Sequence, residues 1–110
     1  MDARPRTLLN YLTAEKREPF QEWFRGLHDG VARAKIRIRL NRVKEGNFGK
    51  HRDVGEGVIE LKIDFGPGYR VYVREDGDQV ILLCGGDTST QDADIRRAKG
   101  FGRDYNAEED

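Results

Sequence analysis

The sequence predicts an α+β domain: an N-terminal strand and a helical hairpin packed on an antiparallel β-sheet of about four strands, with a short C-terminal helix. Three observations lead there. Apolar residues recur at helical spacing between Pro19 and Leu27. Apolar and polar residues then alternate from Gly57 to Arg74, and an unbroken apolar run fills Val80 to Cys84.

Arg6 to Leu12 reads as the first strand and Thr13 to Glu18 as a charged turn. Pro19 suits the first turn of a helix, where its missing N–H costs nothing. Phe20, Trp23, Phe24 and Leu27 follow at i, i+3, i+4 and i+7, one apolar face with Trp23 in the core. Asp29 is the N-cap candidate for a second helix over about residues 31–44, with Gly46 at its C-terminal stop. Ile36, Ile38 and Leu40 alternate as in a strand, but the length without Gly or Pro favours a helix. Its buried stripe is then Ala32, Ile36, Leu40 and Val43, leaving Ile38 outside.

In the β region, Ile59, Leu61, Ile63 and Phe65 face one way and Glu60, Lys62 and Asp64 the other. Gly66-Pro67-Gly68 makes a tight turn, Asp76-Gly77 a second, and Gly85-Gly86-Asp87 ends the last strand. A capping box from Thr88 and Gln91, or from Ser89 and Asp92, starts a helix over about residues 91–99. Gly100 and Gly102 argue against its continuation, so residues 101–110 read as a loose acidic tail behind a core of about 6–100.

The length of 110 residues suits one domain, able to bury a core without staples. One cysteine, Cys84, excludes an internal disulfide, and two histidines do not make a zinc site with it. No metal and no cofactor is expected, since neither a phosphate loop nor a dinucleotide fingerprint occurs. No apolar stretch approaches the ~18 residues of a membrane span, and the N-terminus lacks a signal peptide pattern, so a cytoplasmic protein is expected.

Twenty basic and twenty acidic residues sum to zero, which taken alone argues against a nucleic-acid partner. Their placement argues otherwise. Arg33, Lys35, Arg37, Arg39, Arg42, Lys44, Lys50 and Arg52 stand against Glu45 alone, eight minus one, so this segment carries about +7. The compensating acids gather after Asp87. Such asymmetry steers polyanions to one surface, although basic residues also simply solvate a helix.

Pairing Phe65 with Tyr69 sets Asp64 opposite Arg70, Lys62 opposite Tyr72 and Glu60 opposite Arg74 on one face of the hairpin. Pairing alone favours the plainer reading, cross-strand ion pairs worth at most ~1 kcal/mol each. Ile81 and Leu83 fall on this same face, so something partly covers it, as a cleft or a partner groove. His51 lies between Lys50 and Arg52, neighbours that would favour the neutral form a general base needs, though a lone surface histidine is commonly a bystander. His28 reads as a capping or solvent residue and Cys84 as inert packing.

Several segments in order carry a family resemblance: Phe20-Gln21-Glu22-Trp23-Phe24, Ala32-Arg33-Ala34-Lys35-Ile36, Gly46-Asn47-Phe48-Gly49, Val54-Gly55-Glu56-Gly57-Val58, the Gly66-Pro67-Gly68-Tyr69-Arg70 hairpin and the Cys84-Gly85-Gly86-Asp87 turn. Together they resemble the HigB-like addiction module killer proteins of the RelE/ParE toxin superfamily, over about residues 7–99. The resemblance implies the toxin of a type II toxin–antitoxin pair, neutralised by a helix-turn-helix antitoxin. RelE-like members cleave mRNA on the ribosome; ParE-like members inhibit DNA gyrase without cutting; a third possibility is a member that only binds its antitoxin.

For metal-free RNA cleavage, the resemblance implies Arg70 at the scissile phosphate with Lys62 beside it. The tyrosine of the last RelE helix has no counterpart here; Tyr72, set on that face by the hairpin pairing, and His51, as base, are the further catalytic candidates read from the residues themselves. Arg33, Arg37, Lys44, Lys50, Arg52 and Arg74 would hold ribosomal and messenger RNA. Thr88 stands where the closer family commonly has a lysine, and Asp64 where RelE-like toxins carry a second strand lysine.

Overall fold

The structure, a computed structural model, describes residues 4–109. Its elements are β1 (Thr7–Asn10), α1 (Pro19–Arg25), α2 (Gly30–Lys44), β2 (His51–Gly55), β3 (Val58–Ile63), β4 (Tyr69–Asp76), β5 (Gln79–Gly86), a 3₁₀ turn (Thr88–Thr90) and α3 (Gln91–Glu109). The five strands form one sheet in the order β1-β5-β4-β3-β2. β1 runs parallel to β5 and the other pairs are antiparallel. The class is therefore α+β, but the sheet has five strands and is mixed. The strand not expected is β2: it is an exposed, charged edge with a register shift between Asp53 and Gly55, so it carries no apolar alternation.

The helical hairpin follows its sequence pattern. Pro19 opens α1, and Asp29 caps α2 by accepting from the backbone N–H groups of Val31 (2.9 Å) and Ala32 (3.1 Å). Ala32, Ile36, Leu40 and Val43 are its buried stripe, Ile38 is exposed, and Gly46 follows the C-cap with φ 90°. These helices cover the sheet face made by Leu61, Ile63, Tyr69, Val71, Val73, Val80 and Leu82. Trp23 is partly buried there, edge-on to Tyr69.

Three expectations are corrected. The β3–β4 hairpin pairs Ile63 with Tyr69, Lys62 with Arg70, Glu60 with Tyr72 and Val58 with Arg74. The connection is longer than drawn because Phe65 leaves the ladder: its N–H bonds Ile63 O (2.9 Å), its carbonyl takes Gly68 N–H (3.0 Å), and its ring meets Lys35. A shift of two residues keeps every side chain on its expected face.

The second correction is α3, which runs through Gly100 and Gly102 to Glu109 instead of ending near residue 99. Ile95, Ala98, Phe101 and Tyr105 recur on one helical face and pack on Val58, Tyr72, Ile81 and Leu83. That burial, with Tyr105 Oη donating to Asp76 (2.6 Å) and Tyr11 bonded to Asp104, outweighs about 1 kcal/mol per helical glycine. α3 is thus the cover that Ile81 and Leu83 called for.

Third, neither proposed capping box forms. Asp87 caps the 3₁₀ turn, accepting from Ser89 N (2.8 Å) and Ser89 Oγ (2.6 Å), while Gln91 turns its amide to Glu60. Among the described residues, no helix is long and apolar enough to cross a membrane.

Candidate functional site

On the α3 side of the sheet, beyond the start of that helix, the even-numbered residues of β3 and β4 form cross-strand rows. One row runs Arg52, Glu60, Tyr72 and Cys84; the next runs Lys62, Arg70 and Gly86. Gly86 is bare because Asp94 and Thr90 lie over it: a Cβ there would meet Asp94 Oδ2 at 1.8 Å. The rows open into a pocket of about 440 Å³. Lys50, His51 and Arg52 enter it from β2 and the residue before it, Glu60 and Lys62 from β3, Arg70 from β4 and Gln91 from α3.

Arg70 is the most constrained of these. It is 7% exposed, and its Nη1 donates to Thr88 Oγ1 (2.6 Å) and to Gly68 O (2.8 Å). Thr88 Oγ1 spends its own proton on Pro67 O (2.7 Å), so its lone pairs face the guanidinium. The Gly-Pro-Gly hairpin and the turn after Gly86 therefore meet around this one side chain. Gly68, at φ 81°, permits the contact, since a Cβ would lie 2.8 Å from Thr88 Oγ1. Arg70 Nε is buried with no hydrogen-bond acceptor among the described residues and lies 3.7 Å from Glu60 Oε2.

Glu60, 3% exposed, accepts from Arg52 Nε (2.8 Å), Tyr72 Oη (2.9 Å) and Gln91 Nε2 (3.0 Å). Burial pushes its pKa up, but the hydrogen bonds from Arg52, Gln91 and Tyr72 together outweigh this and leave it below the usual carboxylate value. Burial, and then the bond to Glu60, raise the Tyr72 hydroxyl far above the ordinary phenol range. The pair thus stands as ionised acceptor and protonated donor. At the rim Asp64 bridges Lys50 Nζ (3.2 Å) and Lys62 Nζ (3.5 Å), and the Lys50 hydrogen bond holds its carboxyl low.

His51 is exposed, with Nδ1 2.7 Å from Gly49 O and its ring edge-on to Phe48. A carbonyl oxygen only accepts, so Nδ1 carries a proton and Nε2 is the ring nitrogen left toward the pocket. The pocket lining is four cations, Lys50, Arg52, Lys62 and Arg70, against the one carboxylate of Glu60. Such a cavity suits an anion with several oxygens, and His51 stands at its edge.

Of the residues singled out from sequence, Arg70, Lys62, His51, Lys50 and Arg52 come together in this pocket. Tyr72 lies beneath it, fully buried, and reaches it only through Glu60. Arg74 turns away, donating to Glu56 O (2.8 Å) across the β2–β3 turn. Arg33, Arg37 and Lys44 stand on α2, which packs on the opposite sheet face; Arg33 bonds Leu27 O and Arg37 lies over the Phe24 ring. Glu60 and Gln91 were not singled out as site residues. Alternation places Glu60 on the right face, but a register two residues off assigns it to Arg74; Gln91 is masked by its fit to a capping box. Cys84 is buried, its thiol pushed up to about 12 by desolvation, and is inert packing as expected.

A protein of Haemophilus influenzae, described only as uncharacterized, is 52% identical to this chain over 81 residues, which is 73% of this chain and 82% of that protein. The chain belongs to its family. The shared region spans most of both proteins. No family model and no solved structure matches the chain.

Proposed function

We propose that this protein is the toxin of a type II toxin–antitoxin pair, a ribosome-dependent mRNA endoribonuclease neutralised by a helix-turn-helix antitoxin. The observation that carries the reading is the convergence of Arg70, Lys62, His51, Lys50 and Arg52 on one pocket from three strands and the segment before β2. The resemblance named Arg70 and Lys62 for the phosphate, and they are direct cross-strand partners. Such a toxin works in the cytoplasm, where mRNA and ribosomes are.

The chemistry assigns each side chain a task. A phosphodiester sits with its oxygens on Arg70 Nη2 and on the terminal nitrogens of Arg52, donors that carry no hydrogen bond among the described residues. His51 Nε2 takes the proton of the 2′-hydroxyl, whose oxygen attacks phosphorus. The bond to the 5′-oxygen breaks, that oxygen takes a proton from the Lys50 or Lys62 ammonium, and a 2′,3′-cyclic phosphate and a 5′-hydroxyl end remain. Arg70 and Lys62 stabilise the charge that grows on the equatorial oxygens.

The test is brief induction in cells with mapping of mRNA 5′ ends, wild type against Arg70→Ala. New ends phased to the reading frame are expected for wild type and none for the variant, with antitoxin binding kept. Intact transcripts together with an SOS response would overturn cleavage in favour of gyrase inhibition. Full toxicity of Arg70→Ala would remove the pocket from the mechanism.

A further inference from the structure

We propose that Glu60 is a positioning residue of this pocket: a buried anion that fixes Arg52 and Arg70 at the place where a phosphodiester binds, without touching it. The proposal deepens the ribonuclease reading and rests on it for the identity of the bound group. Its geometric basis is independent of that reading.

Both carboxylate oxygens are committed. Oε1 accepts from Arg52 Nε (2.8 Å), and Oε2 accepts from Tyr72 Oη (2.9 Å) and Gln91 Nε2 (3.0 Å), with Arg70 Nε at 3.7 Å. At 3% exposure no face of Glu60 is left for a ligand. What it leaves free is more telling. Arg52 is engaged through Nε alone, so both terminal nitrogens of this exposed guanidinium project from the anchor. Arg70 is tied at Nη1 by Thr88 and Gly68, and the carboxylate beside Nε orients the other edge of its guanidinium. Two arginines that repel each other are thus held by one charge between them, with unused donors directed into the cavity.

This arrangement has an unusual consequence. A carboxylate under a phosphate site opposes binding of the phosphate by charge, while ordering the groups that act in the transition state. Removing the charge with little change of shape must therefore separate binding from cleavage. A residue that merely held the fold together would lower both in parallel.

The experiment compares wild type and Glu60→Gln on ribosomes programmed with a short mRNA. Binding is measured with the same mRNA carrying one 2′-deoxy residue at the cleavage position. The expected result is binding as tight as wild type or tighter, with single-turnover cleavage slowed about 100-fold, the scale of an ångström-level misplacement. Cleavage at the wild-type rate overturns the proposal, and so does parallel loss of binding and cleavage. If Glu60→Gln does not fold, Gln91→Leu, which removes one donor to Oε2 and leaves the charge, is expected to keep wild-type binding and slow cleavage about 10-fold; unchanged cleavage, or parallel loss of both, overturns the proposal. The Nε–H resonances of Arg52 and Arg70 in ¹H–¹⁵N spectra give a readout free of any activity. Their displacement in Glu60→Gln beside a wild type that cleaves nothing would overturn the ribonuclease reading and keep the positioning role. Unmoved resonances would overturn positioning, whatever the activity.

Discussion

Phe101→Ala tests whether the chain beyond Gly100 is part of the fold. Phe101 is partly buried, meets the Tyr11 ring at a tilt with 5.0 Å between centroids and lies under the Arg97 guanidinium at 5.5 Å. Truncating a fully buried phenylalanine costs about 3–5 kcal/mol. Partial exposure reduces this to roughly half, so a loss of about 2 kcal/mol is expected, including the aromatic pair worth ~1 kcal/mol. For a domain of this size that lowers the melting temperature by about 8 °C. Urea unfolding at neutral pH gives the free energy directly, and amide exchange across residues 101–107 gives the local counterpart. A loose tail responds like any exposed site, within about 0.5 kcal/mol. A change that small, with unprotected amides, would refute the packing of α3 described above.

Two further outcomes follow from the geometry. A Cβ at Gly85 would lie 2.2 Å from Trp23 Cε3, so Gly85→Ala displaces the indole from Tyr69 and costs about 1–3 kcal/mol; Trp23 is the only tryptophan, and an unchanged emission spectrum would contradict this contact. The Glu60 pKa is lowered on folding, so its stabilising contribution is complete above the unfolded value near 4.5 and disappears as pH falls through the lower folded value. The stability gap between wild type and Glu60→Gln should therefore be constant from pH 7 to about 5 and narrow below about 4.5; a gap that stays constant in urea titrations down to pH 3 would show that the carboxylate gains nothing from its partners.

Local patterns carried most of the fold. The stripe Ala32-Ile36-Leu40-Val43, the Asp29 cap and the alternation Ile59-Leu61-Ile63 each have a single physical reading, and the structure follows them. What was illegible depended on partners distant in sequence. β2 is a strand because β3 offers it a ladder, not because His51-Arg52-Asp53-Val54-Gly55 prefers one. α3 continues because the sheet face with Ile81 and Leu83 needs a cover, and local propensity at Gly100 and Gly102 points the other way. In the site, Arg70 and Lys62 were accessible from motif and alternation. Glu60 was not, since its significance lies in being reached from β2, β4 and α3 at once.

The two glycine motifs that mark this sequence have a common physical purpose. Gly68 admits Thr88 at the hairpin, Gly85 admits Trp23 on one sheet face, and Gly86 admits Asp94 on the other. Each lets a neighbour approach where any Cβ would collide, and together they draw the end of β5 and the β3–β4 turn onto the Arg70 guanidinium. Arg70 is held at Nη1, and its buried Nε faces Glu60 Oε2 at 3.7 Å, so Nη2 is the donor it has left for an anion. A zero net charge is compatible with that role because the acids lie elsewhere or are already engaged, as Asp64 is with Lys50 and Lys62 and Glu60 is with Arg52. The field that matters for a polyanion is set within this pocket, where four cations surround one spent carboxylate.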